Sequence, residues 1–439
     1  MVFTFFLSAV FLGSVPCSGQ SQSQSQSQSQ SQSQSQSLTL QEAEQIAIQN
    51  HPQIQAATHL ASAAAAQVTE ARSAYYPQAY GSVTGVEAEH NSRVAAGSLN
   101  NPIIYDRFSE GFTVGQLVTD FGRTYELVKS SNLKAQAQQE NVVTTRADVL
   151  LQVNQAYFAA LKAQAVLQVA EQTVKSRQLV SDQTGALQRS NLKSGLDVSF
   201  ANVDLAQAQL LLIQAQNDVQ ASNAQLSDAL GYSDQRTFQL ADQVLPTSPT
   251  PDLTPLLQEA LKSRPELIRQ DLNVKSAQSF ATAERDLSFP TISVLGTTGL
   301  IPYRQDTLDS RYAAAGFNVN IPIFNGRLYS ARRNEANAVA QAQEQYLREL
   351  QNRVVRDVRT AWLNANSAYQ RLAVTEQLLA ESTQAFDLAQ SRYGLGLSSI
   401  VELSQAQLNK TQAEIARVSA QYDYEGQIAY LNFQLGRMQ

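Results

Sequence analysis

A chain of 439 residues with a net charge of −6 and no basic block has little electrostatic attraction for nucleic acid, so no nucleic-acid partner is expected. Only 16% of the residues are charged and 43% are hydrophobic, and the one cysteine, Cys17, excludes a disulfide framework and a thiolate metal cluster. The helical regions are rich in Ala and Gln, a mixture that suits helices packed closely through small residues with wetted outer faces.

Residues 1–19 open on an apolar run followed by small residues, the pattern of a secretory signal peptide, although no Lys or Arg precedes the run. Cys17 stands where a lipoprotein signal carries its modified cysteine, but Pro16 occupies a place where a small residue is expected, so lipidation stays open. After residue 15 no stretch approaches the ~20 apolar residues of a spanning helix, so any membrane crossing has to be made by a β-barrel. Gln20 to Ser37 alternates Gln and Ser, has nothing to bury, and reads as a disordered spacer.

Thr39 and Glu42 form a capping box for a short helix that ends near Asn50-His51-Pro52. A second helix is predicted from Gln53 to Ala74, stopping at Tyr75-Tyr76-Pro77. His51 and His59 lack the i, i+4 spacing of a helical metal pair, and with His90 they read as solvated or capping. The period then drops to two. Tyr80, Ser82, Thr84 and Val86 alternate with Gly81, Val83 and Gly85, and after a polar loop (91–102) comes a second strand over Phe112–Val118. Strands of about ten residues have the length that tilted strands need to cross a bilayer.

Asp120-Phe121-Gly122-Arg123 turns the chain into a long helix to about Ser190, interrupted only by Gly185, with a seam that includes Leu150, Val153, Tyr157 and Ala160. A turn over Asn191–Gly195 leads to a helix from about Val198 to Leu230, ended by Gly231 as a C′ glycine. Residues 232–252, with Pro246, Pro249 and Pro251, read as an irregular linker.

The pattern then recurs. A short helix restarts near Leu253-Thr254; Pro265 follows Pro52 by 213 positions, and Pro290 follows Pro77 by the same offset. Phe317–Ile323 alternates cleanly as a strand. Gly326-Arg327 matches Gly122-Arg123 at an offset of 204, and Trp362 matches Tyr157 at 205. The first hairpin region is thus nine residues longer than the second, a difference suited to an exposed loop. The chain divides into a first repeat (38–231), a linker (232–252) and a second repeat (253–439). In the second, Gly326–Tyr393 reads as one helix of 68 residues, with Leu347, Leu350, Val354, Val358, Ala361, Ala365, Ala368 and Leu372 spaced by threes and fours. At 1.5 Å per residue it is roughly 100 Å long, more than a compact domain can bury.

Two hairpins supply four strands, and open strand edges cannot sit in lipid. Single-chain membrane barrels begin at about eight strands, so this chain has to oligomerise to close one. In each repeat two shorter helices, stacked end to end, approach the length of the long helix and can line it. A hollow helical cylinder follows, with a solid coiled-coil bundle as the alternative.

Leu38-Thr-Leu-Gln-Glu-Ala, Pro52 and Pro265, Tyr76-Pro77 and Phe289-Pro290, Asp120-Phe-Gly-Arg and Asn325-Gly-Arg, the terminal Leu-Gly of each repeat, and above all Arg392-Tyr-Gly-Leu-Gly-Leu-Ser-Ser-Ile-Val-Glu-Leu followed by Gln405-Ala-Gln carry a resemblance over residues 38–439. The chain resembles the TolC family of outer-membrane channel-tunnel proteins. The resemblance implies a mainly α fold with a membrane β-barrel: duplicated helix–hairpin–helix repeats that assemble as a homotrimer with a 12-stranded β-barrel and a 12-helix α-barrel. It places the protein in the outer membrane of a diderm cell, with a long periplasmic extension. It implies a passive exit duct of a tripartite efflux pump or type I secretion system, working with a periplasmic adaptor and an inner-membrane RND or ABC transporter.

No phosphate loop, Ser/His/Asp constellation or paired-carboxylate site stands out, so neither an enzyme nor a cofactor is expected. By the resemblance, the helical tips at Asn191, Leu192 and Gly195 and at Gly394, Leu395, Gly396 and Leu397 take the adaptor. Tyr393, Glu402, Gln405 and Asp197 fall at the periplasmic gate; Gln405 stands where some members carry a second acid, which puts a double acidic ring in question. Asn191 takes the place of Gly396, and Asn tolerates a left-handed turn. For each carboxylate the competing reading is a solvated charge or a helix N-terminal acid. A periplasmic scaffold whose hairpins dock on protein rather than lipid is the alternative function, and a general diffusion porin is disfavoured by the strand count.

Overall fold

The computed structural model describes residues 37–89, 105–304 and 309–438, all within one unit of residues 37–439. The signal peptide, Cys17, nearly all of the Gln/Ser tract, His90 and the 91–102 loop lie outside the described residues.

Helix α1 (Leu40–Asn50) starts at the Thr39–Glu42 capping box. Helix α2 (Pro52–Ser73) starts on His51, whose Nδ1 accepts from the Gln53 N–H at 3.3 Å, so this buried histidine is a cap. Strands β1 (Gln78–Val86) and β2 (Arg107–Thr119) lead into α3 (Arg123–Arg189) and α4 (Gly195–Ala229). The second half repeats the order: α5 (Thr254–Ser263), α6 (Pro265–Asp286), β3 (Thr291–Arg304), β4 (Arg311–Asn320), α7 (Leu328–Gly394) and α8 (Ile400–Gln434). Gly185 does not interrupt α3.

Two details depart from the sequence reading. Strand β4 stops at Asn320 rather than Ile323, because Pro322 has no N–H to give a ladder. The entries to α3 and α7 match at an offset of 205, not 204. Each needs two consecutive left-handed residues, Phe121 and Gly122 (φ 57° and 111°) in one repeat and Gly326 and Arg327 (φ 61° and 68°) in the other. Glycine fills the second place in the first repeat and the first place in the second. At the α3 entry Asp120 offsets the strain by accepting from the Thr124 N–H at 2.7 Å and from its hydroxyl.

Packing sets four helical columns side by side. Helices α2 and α4 both lie along α3; α6 and α8 both lie between α3 and α7. The sheet has the same order, β1-β2-β3-β4, antiparallel throughout, with β2 and β3 joining the two halves. Side chains paired across the strands share a face. One face carries exposed Val83, Phe112, Val114, Val294 and Phe317; the other carries Ser82, Thr84, Ser109, Thr113 and Thr297 among its residues. Within the predicted seam of α7, Val354, Val358, Ala361, Ala365 and Ala368 are buried, and Leu347, Leu350 and Leu372 are half-buried.

Midway along the columns, residues around the linker are strapped across the helices. The Tyr157 hydroxyl lies 2.8 Å from the Leu38 carbonyl oxygen and 2.6 Å from that of Ala241. Its repeat counterpart Trp362 donates from Nε1 to the Thr250 carbonyl at 2.9 Å, and the Tyr424 hydroxyl donates to that of Thr247 at 2.6 Å. Helix α4 is more apolar than the sequence reading allowed, with a mean hydropathy of 1.2 over an 18-residue window. Its apolar side chains divide between the α3 contact and an exposed stripe that includes Leu196, Val203 and Leu210.

Candidate functional site

The ends of the columns away from the sheet are built from two equivalent helix–turn–helix tips. At the end of α3, the Leu192 N–H donates to the Leu187 carbonyl and the Asn191 N–H to that of Gln188, both at 2.9 Å, with Asn191 at φ 59°. At the end of α7, the Leu397 N–H donates to the Arg392 carbonyl at 2.8 Å and the Gly396 N–H to that of Tyr393 at 3.1 Å, with Gly396 at φ 74°. Both are Schellman turns, in which a left-handed residue lets the orphan carbonyls of the last turn find donors. Gly195 and Gly394 are helical, the first residue of α4 and the last of α7, so the turns proper span 190–194 and 395–399. Leu192, Leu395 and Leu397 are each at least two-thirds exposed, an apolar trio at the ends of the tips.

Each outgoing helix starts on serine. Ser194 and Asp197 form a capping box; the Asp197 carboxylate accepts from the Ser194 hydroxyl at 2.7 Å and N–H at 2.9 Å, which holds its pKa below the usual carboxylate range. Ser399 accepts from the Glu402 N–H at 3.4 Å, yet the Glu402 carboxylate does not close the box. It reaches back across the turn to Arg392, at 3.2 Å. The two aligned acids therefore have different work: Asp197 caps its helix, and Glu402 joins α7 to α8.

Tyr393 is buried in a small apolar cluster with Val180, Ala201, Phe386, Ala389, Ile400 and Leu403, drawn from both repeats. Its hydroxyl has no hydrogen-bond partner among the described residues, and Lys193 from the first tip sits 3.8 Å from its ring centroid. Gln405 is exposed and bonds along its own helix to Asn409 at 2.9 Å. The structure thus gathers Tyr393 and Glu402 with their neighbours at one tip, leaves Gln405 outside that cluster, and engages Asp197 locally.

The sequence reading missed three residues here: Lys193, Arg392 and Arg177. Arg177 carried a signal. It stands in the series Ala170, Thr173, Arg177, Val180, Thr184, all buried and spaced by threes and fours, where a seam residue is expected to be small or apolar.

Helical columns continued by strands in the same order, with edges on both sides unpaired among the described residues and turned tips at the far end, define the class of outer-membrane channel proteins with a helical extension. The chain belongs to the outer membrane efflux protein family, whose model matches residues 43–232 and 256–437, one stretch in each repeat. It is 24% identical to the outer membrane efflux protein BepC of Brucella suis biovar 1 (strain 1330), across 81% of this chain and 76% of that protein. It is also 24% identical to the outer membrane protein TolC of Escherichia coli (strain K12), across 88% and 79%. Among solved structures, the CmeC outer membrane channel of Campylobacter jejuni superposes with a TM-score of 0.78 at 17% identity over 90% of this chain and 85% of that one. The outer membrane protein VceC of Vibrio cholerae gives 0.77 at 16% identity over 90% and 96%. The fold is therefore TolC-like, and the protein is an outer-membrane efflux duct whose helices extend into the periplasm. Its family is one of channels, not enzymes.

Proposed function

We propose that the chain works as a homotrimer, a passive tripartite-pump or type I secretion duct opened at its tips by a periplasmic adaptor and an inner-membrane RND or ABC transporter. The observation that carries this is the shared order of strands and columns. Strands β1 and β4 keep unpaired edges, while α2 with α4 flanks one side of the columns and α7 the other. Three copies joined edge to edge close twelve strands and twelve columns at once, with no strand edge left in lipid. The apolar sheet face then meets outer-membrane lipid and the Ser/Thr face lines the lumen. Residues 38–231 and 253–439 act as the two repeats, joined by a 232–252 linker that is strapped over the midpoint of the columns.

In this reading Tyr393, Glu402, Gln405 and Asp197 belong to the gate, and Asn191, Leu192, Gly195, Gly394, Leu395, Gly396 and Leu397 to the adaptor-docking tips. The exposed leucines support docking, since an apolar contact at a turn needs a partner to be covered. The Tyr393 cluster joins the repeats, so tip opening has to dissolve it.

The purified protein in detergent should form hollow three-fold particles, resist extraction from membranes by salt and alkali, and conduct ions in planar bilayers. A compact monomer released by alkali would favour the scaffold reading. Glu402→Gln should weaken block of the conductance by a trivalent cation; an unchanged block removes Glu402 from the gate.

A further inference from the structure

Above the tips, Arg177 of α3 is 6% exposed and makes contacts that cross the repeats. Its Nη1 lies 3.5 Å from Asp204 Oδ2 on α4 and donates to Gln407 Oε1 on α8. The same Asp204 oxygen accepts from the Ser404 hydroxyl on α8. One guanidinium and one carboxylate thus tie both helices of the first tip to the outgoing helix of the second.

The cluster is expensive. Its neighbours toward the tip are apolar (Val180, Ala201, Leu403), and buried ion pairs are often no more stabilising than hydrophobic residues of similar volume. Gln407 also spends its carbonyl on Arg177 and leaves a buried Nε2 without a partner among the described residues, beside a cavity of about 230 Å³. A half-satisfied network costs more than an apolar seam. The best-attested return for such a cost is registry or switching. The repeat offers a comparison within the chain: 205 positions on, Arg177 becomes Ser382 and Asp204 becomes Asn409, so neither member of this buried pair is charged in the second repeat. Another polar contact between the tips, Lys193 over Tyr393, is a cation–π pair near the surface and weaker.

We propose that Arg177 is a positioning residue for the gate: with Asp204, Ser404 and Gln407 it clamps α3 and α4 to α8, and the tips open when this clamp releases. The inference rests on the gated-duct reading above. Planar-bilayer recording of the assembled protein tests it, with apparent melting temperature as the control for structure. The double variant R177M/D204L replaces the pair by apolar side chains and should assemble with near wild-type stability, while its open fraction rises about tenfold, the scale of one charge-assisted hydrogen bond. R177K keeps the charge but not the planar fork and should fall between the two. Should the double variant fail to assemble, Ser404→Ala, which removes one bond from Asp204, decides the matter with an expected rise of about threefold. Wild-type gating in the assembled double variant, or in Ser404→Ala where only that assembles, overturns the clamp. A wild-type protein that forms no channel overturns the duct reading instead.

Discussion

Asn191 and Gly396 are structural equivalents, each the left-handed residue that closes a 67-residue helix, at φ 59° and 74°. An L-residue in this conformation costs roughly 1–2 kcal/mol, less for Asn, whose short side chain finds local hydrogen bonds. Nothing crowds Gly396, where an added Cβ would meet open space, so conformation alone limits what fits. Asn191→Gly should therefore leave the first tip as ordered as before or slightly more so, and Gly396→Val should loosen the second. Hydrogen exchange at the tips is the suitable measurement, because a local turn moves the global melting temperature little.

Ser130 of α3 and Ser276 of α6 make reciprocal contacts between the two columns. Each hydroxyl reaches the other residue's carbonyl oxygen, at 2.9 and 2.8 Å, and the two hydroxyl oxygens are 2.9 Å apart. Both side chains are buried. Ser276→Ala should cost about 1 kcal/mol through the lost bond to the Ser130 carbonyl and the lost hydroxyl–hydroxyl contact, while Ser130 keeps its bond to the carbonyl of residue 276; the double Ala variant should cost less than the sum of the singles. Ser276→Leu should cost about 1–3 kcal/mol by overpacking. A double-mutant cycle on thermal unfolding checks all three; additive singles would mean the serines do not act as a pair.

Much of this architecture was legible because long-range order here repeats local order. The threes-and-fours seam of residues 347–372 gave α7 to within two residues of its ends, and the Pro52/Pro265 offset gave the duplication. Contacts made between segments distant in sequence were not legible. Arg392 and Glu402 are ten positions apart, and only the Schellman turn folds one back onto the other. Arg177 finds Gln407 across 230 positions. A periodic reading assigns faces, not partners, and a polar residue in an apolar seam was the one trace of the clamp on paper. The one-residue slip at Gly122 and Gly326 has a similar source. The requirement is for two left-handed residues in succession, and identical letters do not reveal which of them glycine fills.

Glu425, on α8 beside the linker, is 2% exposed. Burial, with Asp242 adding a like charge, pushes its carboxyl up to about 7. A carboxyl raised in the folded state binds its proton more tightly there than in the unfolded chain, so its contribution is complete below the ordinary glutamate value of 4.5 and is lost as pH rises through about 7. The loss amounts to about 1–2 kcal/mol once screening by nearby solvent is allowed for. Glu425→Gln should thus match the wild type at pH 5 and melt higher at pH 8. Parallel melting curves at the two values decide it, and a variant that melts lower at pH 8 would show the carboxylate to be satisfied.

The Arg392–Glu402 pair makes a prediction opposite in sign to that for Glu402 itself. Both side chains are about half exposed, so the pair contributes little to stability. Its effect is on local charge: Arg392 neutralises the carboxylate that, on the gate reading proposed above, a polyvalent cation would seek. Arg392→Gln frees Glu402 at the start of α8 without touching the Ser399 cap, which accepts from the Glu402 backbone N–H. Three such carboxylates around a threefold axis would then face a cation unopposed, and at low ionic strength their fields add over a Debye length of roughly 10–30 Å. Trivalent-cation block of the bilayer conductance should therefore occur at lower cation concentration in Arg392→Gln than in the wild type, and the difference should shrink as salt is raised. In the double variant Arg392→Gln/Glu402→Gln the gain should vanish, because the carboxylate that Arg392 screens is gone.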